Sequence, residues 1–172
     1  PEATALPRAG EVDVALLFSY EDAAGREDDG LRRIPVLREP MYVVARKGTR
    51  GRTPADHAQQ RWIAGCDRCR EHLLRTCDRA GFRPDITITT DDYVAVQAFV
   101  AAGLGVTILP ALALAAHRHP GVRVVRQPGD ARHVFAAVAG QPPDPPATAA
   151  LVAHLVAAGR ALRPPGQARS TA

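Results

Sequence analysis

Residues 89–110, TTDDYVAVQAFVAAGLGVTILP, constrain the fold of this chain more than any other stretch. They read as a strand end, a capped helix, a glycine stop and a second strand. Thr90 or Asp91 is placed to accept hydrogen bonds from the first free N–H groups of a helix, and Asp91 and Asp92 sit near its positive end. Val96, Phe99, Val100 and Gly103 recur at helical spacing and define one face. Gly103 suits the left-handed residue that stops a helix. Residues 106–109, VTIL, then form a short apolar strand that Pro110 closes. A helix delivered this abruptly between two strands belongs to a layered α/β architecture.

The flanking segments repeat the pattern. Residues 12–18, VDVALLF, form a nearly continuous apolar run, as expected of a strand buried on both faces of a parallel sheet. Residues 31–46 read as strand, break at Pro40, strand. Thr53-Pro54 opens a short helical turn. Residues 61–65, RWIAG, form a strand, residues 68–80 a helix stopped by Gly81, and residues 85–89 an alternating strand. Residues 111–119 form a short helix. Residues 122–125 and 133–139 form two strands parted by a turn at Pro128-Gly129-Asp130. Residues 147–162 form a last amphipathic helix with Leu151, Leu155 and Leu162 on its apolar side. The acidic, glycine-flanked residues 21–30 form a surface loop, and residues 163–172 a disordered tail. Strands alternating with helices imply an α/β fold with mainly parallel sheets.

Bulk properties exclude several classes. Only 5% of residues are aromatic, so the core is built from Val, Leu, Ile and Ala. The formal charge is +4, but the arginines are scattered and Lys47 is the single lysine, so no basic stripe marks a nucleic-acid surface. No apolar run approaches the ~18 residues that would span a bilayer, which leaves no membrane role. The first residues carry no charged-then-apolar leader. A cytoplasmic protein is the simplest expectation.

Four soft metal donors crowd into C-x2-C-x2-H-x4-C, from Cys66 to Cys77. Zinc would want four. A helix beginning near Cys69 turns ~100° per residue, so Cys69 and His72 share a face while Cys77 points elsewhere. At most three donors converge, and no metal site is expected. Cys77 reads as a small buried hydrophobe. An enzyme reading finds no G-x-S-x-G, and only Ser19 and Ser170 as serines. The six histidines are scattered, so no catalytic residue is assigned, although a dyad of Cys66 with a distant His is not excluded by spacing. Gly103-Leu104-Gly105 follows a helix, where a dinucleotide fingerprint would precede one. No cofactor is expected.

The motifs "GEVDVALLF", "WI", "RAGFRP" and "VAAGLGV" before an apolar strand and Pro110 together resemble the effector-binding region of LysR-type transcriptional regulators, over about 160 residues. The resemblance implies a periplasmic-binding-protein-like (type 2) fold of two lobes, with the first lobe incomplete at its N-terminus. Residues 1–39 and 141–162 then form the partial first lobe and residues 40–140 the second. It implies a small-molecule effector in an interlobe cleft, a homodimer or homotetramer, and contact with DNA only through a helix-turn-helix domain that precedes this segment. A free-standing solute-binding protein of the same fold is the alternative, which a signal peptide upstream would distinguish. Peroxide-sensing members carry two cysteines in this part of the second lobe, and Cys77 and, less closely, Cys69 resemble them. On a continuous helix those two sit ~12 Å apart, too far for a disulfide unless the helix unwinds.

Ligands of open α/β sheets bind beyond the carboxyl ends of strands, near helix N-termini. Three such ends occur here. They place Phe18 and Ser19 after the first strand, Gly65, Asp67, Arg68 and Cys69 after the Trp62 strand, and Thr90 and Asp91 at the start of the 89–110 stretch. These are the expected effector-binding residues. Helix N-termini and Arg68 favour an anion, while Asp91 opposes one unless it only caps its helix.

Overall fold

The computed structural model describes residues 2–20 and 30–162. The expected acidic loop, apart from its last residue Gly30, and the expected disordered tail lie outside the described residues. The element order is α1 (Glu2–Arg8), β1 (Ala15–Ser19), β2 (Leu31–Arg46), a 3-10 turn (Pro54–His57), β3 (Arg61–Ala64), α2 (Asp67–Arg79), β4 (Asp85–Thr89), α3 (Tyr93–Ala101), β5 (Thr107–Pro110), α4 (Ala111–Ala116), β6 (Val122–Ala139) and α5 (Pro146–Ala161). The chain forms two compact units. One comprises the described residues of 1–39 and 131–172, and the other spans Pro40–Asp130.

In the second unit β3 and β4 pair in parallel, with Ala64 opposite Thr89. A parallel bridge joins Trp62 to Val106, and β5 pairs antiparallel with β2 from Met41–Pro110 to Val44–Thr107. The last three residues of β3, Trp62, Ile63 and Ala64, are fully buried and point alternately to two cores. Ile63 joins Tyr42, Val44, Val96, Val100, Leu109 and Leu114. Trp62 and Ala64 join Ala45, Leu73, Cys77 and Val106 on the other side. A strand covered on both faces needs a continuous apolar run, which is why the sequence reads Trp-Ile-Ala without alternation.

In the α3 region Gly103 has φ +83. The Gly103 N–H donates to the Val100 carbonyl and the Leu104 N–H to the Phe99 carbonyl, both at 3.0 Å. This closes the helix by the paired bonds expected of a left-handed stop. Val96 and Val100 are buried, but Val94 is 51% exposed. Gln97 is fully buried. Its Nε2 donates to the carbonyls of Tyr93 (3.1 Å) and His117 (3.0 Å), and its Oε1 accepts from the His119 N–H at 3.0 Å. The amide therefore satisfies itself inside the core by tying α3 to the loop after α4.

In the first unit β1 pairs antiparallel with β6, from Ala15–Ala137 to Ser19–His133. Leu17, Leu31 and Ala137 pack on one side. Ala136, Val138, Ile34 and Val36 pack on the other against Val152, Leu155 and Val156 of α5.

Several expectations change. The sheets are mixed: β1–β6 and β2–β5 pair antiparallel and β3–β4 parallel, because local periodicity does not encode the direction of a partner. β1 is not covered on both faces: it starts at Ala15 and leaves Leu16 55% exposed. β2 continues through Pro40, and β6 continues through Pro128-Gly129-Asp130 instead of splitting into two strands. Local turn preference yields in both cases to the sheet order β1-β6-β2-β5, in which these strands are neighbours. The chain returns to the first unit at Ala131, inside β6, and not at Gln141. On α5 the buried face is Thr148, Val152 and Gly159, while Leu151 and Leu162 are about half exposed. A Cβ at Gly159 would stand 2.0 Å from the Val36 carbonyl oxygen, so the small residues mark the side on which helix meets strand.

Candidate functional site

In the second unit, the carboxyl ends of the parallel strands β3 and β4 lie side by side, and each leads directly into a helix. The Thr90 N–H donates to the Ala64 carbonyl at 3.0 Å, which carries the ladder one step past β4. Gly65 lies against the same place: a Cβ there would be 3.9 Å from the Thr90 carbonyl oxygen and 3.1 Å from the Cys69 Cβ. The structure therefore brings Gly65, Cys69 and Thr90 together. Asp67 and Arg68, in the first turn of α2, and Asp91, before α3, are exposed beside them.

The two helix starts differ in how their backbone is satisfied. At α3 the cap is Asp92, not Thr90 or Asp91. Its Oδ1 accepts from the N–H groups of Val94 (2.8 Å) and Ala95 (3.1 Å). Three adjacent residues, Thr-Asp-Asp, are chemically able to cap; Asp92 does so because it immediately precedes the first helical residue, Tyr93. Thr90 supports it from behind, its hydroxyl accepting from the Asp92 N–H at 3.3 Å. Asp91 makes neither of the two capping bonds and is exposed. At α2 the cap position is Cys66, whose side chain makes no capping hydrogen bond. The positive end of a helix favours an anion; at α2 Asp67 is set against that preference and Arg68 adds to it.

The cysteines separate into two classes. Cys66 Sγ and Cys69 Sγ are 2.7 Å apart, both half-buried and neither in a disulfide. Cys77 is fully buried among Trp62, Leu73 and Ala45, and burial pushes its thiol up to about 12. Cys69 and Cys77, the pair that could bridge only if the helix unwound, both lie on α2, which runs unbroken from Asp67 to Arg79. His72 is also buried, its Nε2 3.1 Å from Asp130 Oδ2. The close spacing of four donors in sequence is thus dispersed by the helix. Among the described residues no three His, Cys, Asp or Glu side chains gather in a way that could hold a metal ion.

In the first unit Phe18 and Ser19 end β1. The Phe18 ring makes an edge contact with Tyr20, with centroids 5.9 Å apart. Arg132 Cζ lies 4.9 Å from its centroid on the face. Arg132 is itself buried and bonded to Glu39 Oε1 through Nε (2.7 Å) and Nη2 (2.6 Å). A cation over a ring and a paired carboxylate fix the Phe18 plane. Sequence reasoning did not single out Arg132 or Glu39, and it weighed Cys66 only as a metal donor or half of a dyad. For Arg132 the available signal is one charged residue entering the apolar run VFAAVA.

Among the described residues no helix is long and apolar enough to cross a membrane. No curated protein matches the chain. Solved structures do. CbnR, a LysR family transcriptional regulator, is 20% identical, with 92% of this chain and 56% of CbnR covered at a TM-score of 0.70. The effector binding domain of QuiR in complex with shikimate is 19% identical, covering 91% and 76% at 0.70. The regulatory domain of CcmR from Synechocystis PCC6803 in complex with 2-PG is 14% identical, covering 92% and 79% at 0.73. The chain thus spans little more than half the length of the full regulator CbnR. These matches give the chain the type 2 periplasmic-binding-protein-like fold. The family profile described as LysR substrate binding domain matches residues 1–160, and the chain belongs to that family.

Proposed function

We propose that this chain is the effector-sensing part of a DNA-binding transcriptional regulator, and that its ligand is a small polar anion bearing hydroxyl groups. The observation that carries the reading is the pair of helix starts at the ends of β3 and β4, one capped by its own Asp92 and one whose cap residue, Cys66, makes no side-chain cap bond. The N-terminal end of α2 and Arg68 attract a carboxylate or similar anion. Asp67 and Asp91 accept from hydroxyl donors on the same ligand. Gly65 and Thr90 form the floor. The complexes of QuiR with shikimate and CcmR with 2-PG support a small-molecule effector.

The effector regulates by binding one conformation or subunit arrangement better than another, and it shifts that equilibrium only by its difference in affinity. In the whole regulator, a homodimer or homotetramer in the cytoplasm, the shift reaches DNA through a helix-turn-helix domain. The test is a calorimetric screen of the protein against small hydroxylated carboxylates. A charge-assisted contact contributes ~1.5–3 kcal/mol, so Arg68→Ala should weaken a hit by about tenfold or more. Thr90→Val should weaken it as well. A hit indifferent to both substitutions places the ligand elsewhere.

A further inference from the structure

We propose that Cys66 and Cys69 are a redox-active dithiol, which closes to an intramolecular disulfide by exchange with a low-molecular-weight disulfide and reopens when a thiol is in excess. Three features of the chain converge on it. The sulfurs are already 2.7 Å apart, against ~2.05 Å in a disulfide, so closure needs a movement well under 1 Å. The backbone sets the pair up. Cys66 occupies the cap position with φ −55 and ψ 168, outside the helix, and Cys69 is the third residue of α2. A cap side chain folds over the third helical residue, the reach that Ser or Thr uses in a capping box. Here it delivers one sulfur to another, and no capping hydrogen bond is made. Finally, the residue before the pair is Gly65, and a Cβ there would press to 3.1 Å on the Cys69 Cβ and 3.4 Å on its sulfur. The glycine leaves the room in which Cys69 lies back toward Cys66.

The chemistry balances with a small disulfide RSSR as oxidant. One thiolate of the pair attacks RSSR, forming a mixed disulfide and releasing RS⁻. The second thiolate attacks the protein sulfur of that mixed disulfide, and the bond to R breaks to release a second RS⁻. The two cysteine protons end on the two leaving thiolates. Two thiols of the protein are oxidised by two electrons, and RSSR is reduced to two RSH. Cys77 takes no part, since it is sealed in the core two turns further along α2. The proposal stands independently of whether an effector binds beside it.

The test uses the intact reduced protein and oxidised glutathione. Free thiols are counted in denaturant after acid quench, and the linkage is mapped by peptide mass. The chain has three cysteines. The expected result is a fall from three free thiols to one, with Cys66 and Cys69 joined in one peptide and Cys77 the survivor, all reversed by dithiothreitol. Cys69→Ser should instead trap a glutathione adduct on Cys66, while Cys77→Ser should still form the bridge. Three free thiols after treatment, or stable glutathione adducts on the unmutated pair, would overturn the proposal. The wild-type measurement needs no variant to fold.

Discussion

Gly159→Ala tests how α5 seats on the first unit, because two physical effects predict opposite signs. In an open helix interior, replacing Gly by Ala stabilises by about 0.8–1.0 kcal/mol. At Gly159 the new Cβ would stand 2.0 Å from the Val36 carbonyl oxygen and 2.9 Å from its carbon. Contacts under 3.0 Å are essentially never adopted by a real Cβ, so helix and strand must part by about 1 Å. Neither atom of Val36 belongs to a flexible side chain that could swing aside. Overpacking of this kind costs about 1–3 kcal/mol, and so severe a contact belongs at the upper end. Subtracting the helix gain leaves a net loss of about 2 kcal/mol. For a chain of this size that lowers the melting temperature by about 4–8 °C. The assay is thermal unfolding by far-UV circular dichroism, with Ala157→Gly on the exposed side of the same helix as control. The control should lose about 1 kcal/mol by propensity alone. An unchanged or raised melting temperature in Gly159→Ala would refute the close approach of α5 to Val36.

The cap of α3 gives a paired test: Asp92→Ala should cost about 1 kcal/mol, while Asp91→Ala should stay within about 0.5 kcal/mol, read from urea midpoints at constant slope. Equal losses would mean that the cap is misassigned. His57 gives a pH test. It is buried, and burial lowers its pKa from the ordinary 6.5. The unfolded chain therefore binds this proton before the folded one does. The stability tied to neutral His57 is complete above about pH 6.5 and declines as pH falls below it. His57→Phe should flatten the acid limb of melting temperature between about pH 7 and 5 relative to wild type. An unaltered limb would show that another group governs it.

Much of the second unit is legible in the sequence because its elements are short and sharply punctuated. β4 coincides with the expected strand, and α2 and β5 lie within a residue of expectation at each end, set by Gly81 and Pro110. Strand direction and continuity are not legible, since Pro40 and Pro128-Gly129 are local stop signals that sheet neighbours override. α5 misleads for a different reason. Its large residues, Leu151 and Leu162, invite assignment to the core, yet the face that touches the sheet is chosen for small size at Gly159. At the candidate site, the grouping of residues after β3 and β4 follows from strand ends and helix starts. The contact of Cys66 with Cys69 does not, because it depends on the dihedral angles of a single residue outside the helix. Gln97 is hidden similarly: a buried amide inside VAVQAFV is explained only by the His117–His119 backbone, which lies some twenty residues away in sequence.

The chain's one tryptophan, Trp62, is fully buried in the second unit, with Phe82 5.8 Å away between centroids and the Cys77 thiol in the same cluster. Its emission is therefore a private optical label. Excited at the red edge, the protein reports the melting of Pro40–Asp130 and is blind to the other unit, whose unfolding only the amide signal records. Comparing the two signals across a denaturant gradient turns one unlabelled sample into a direct measure of how cooperatively the two units unfold.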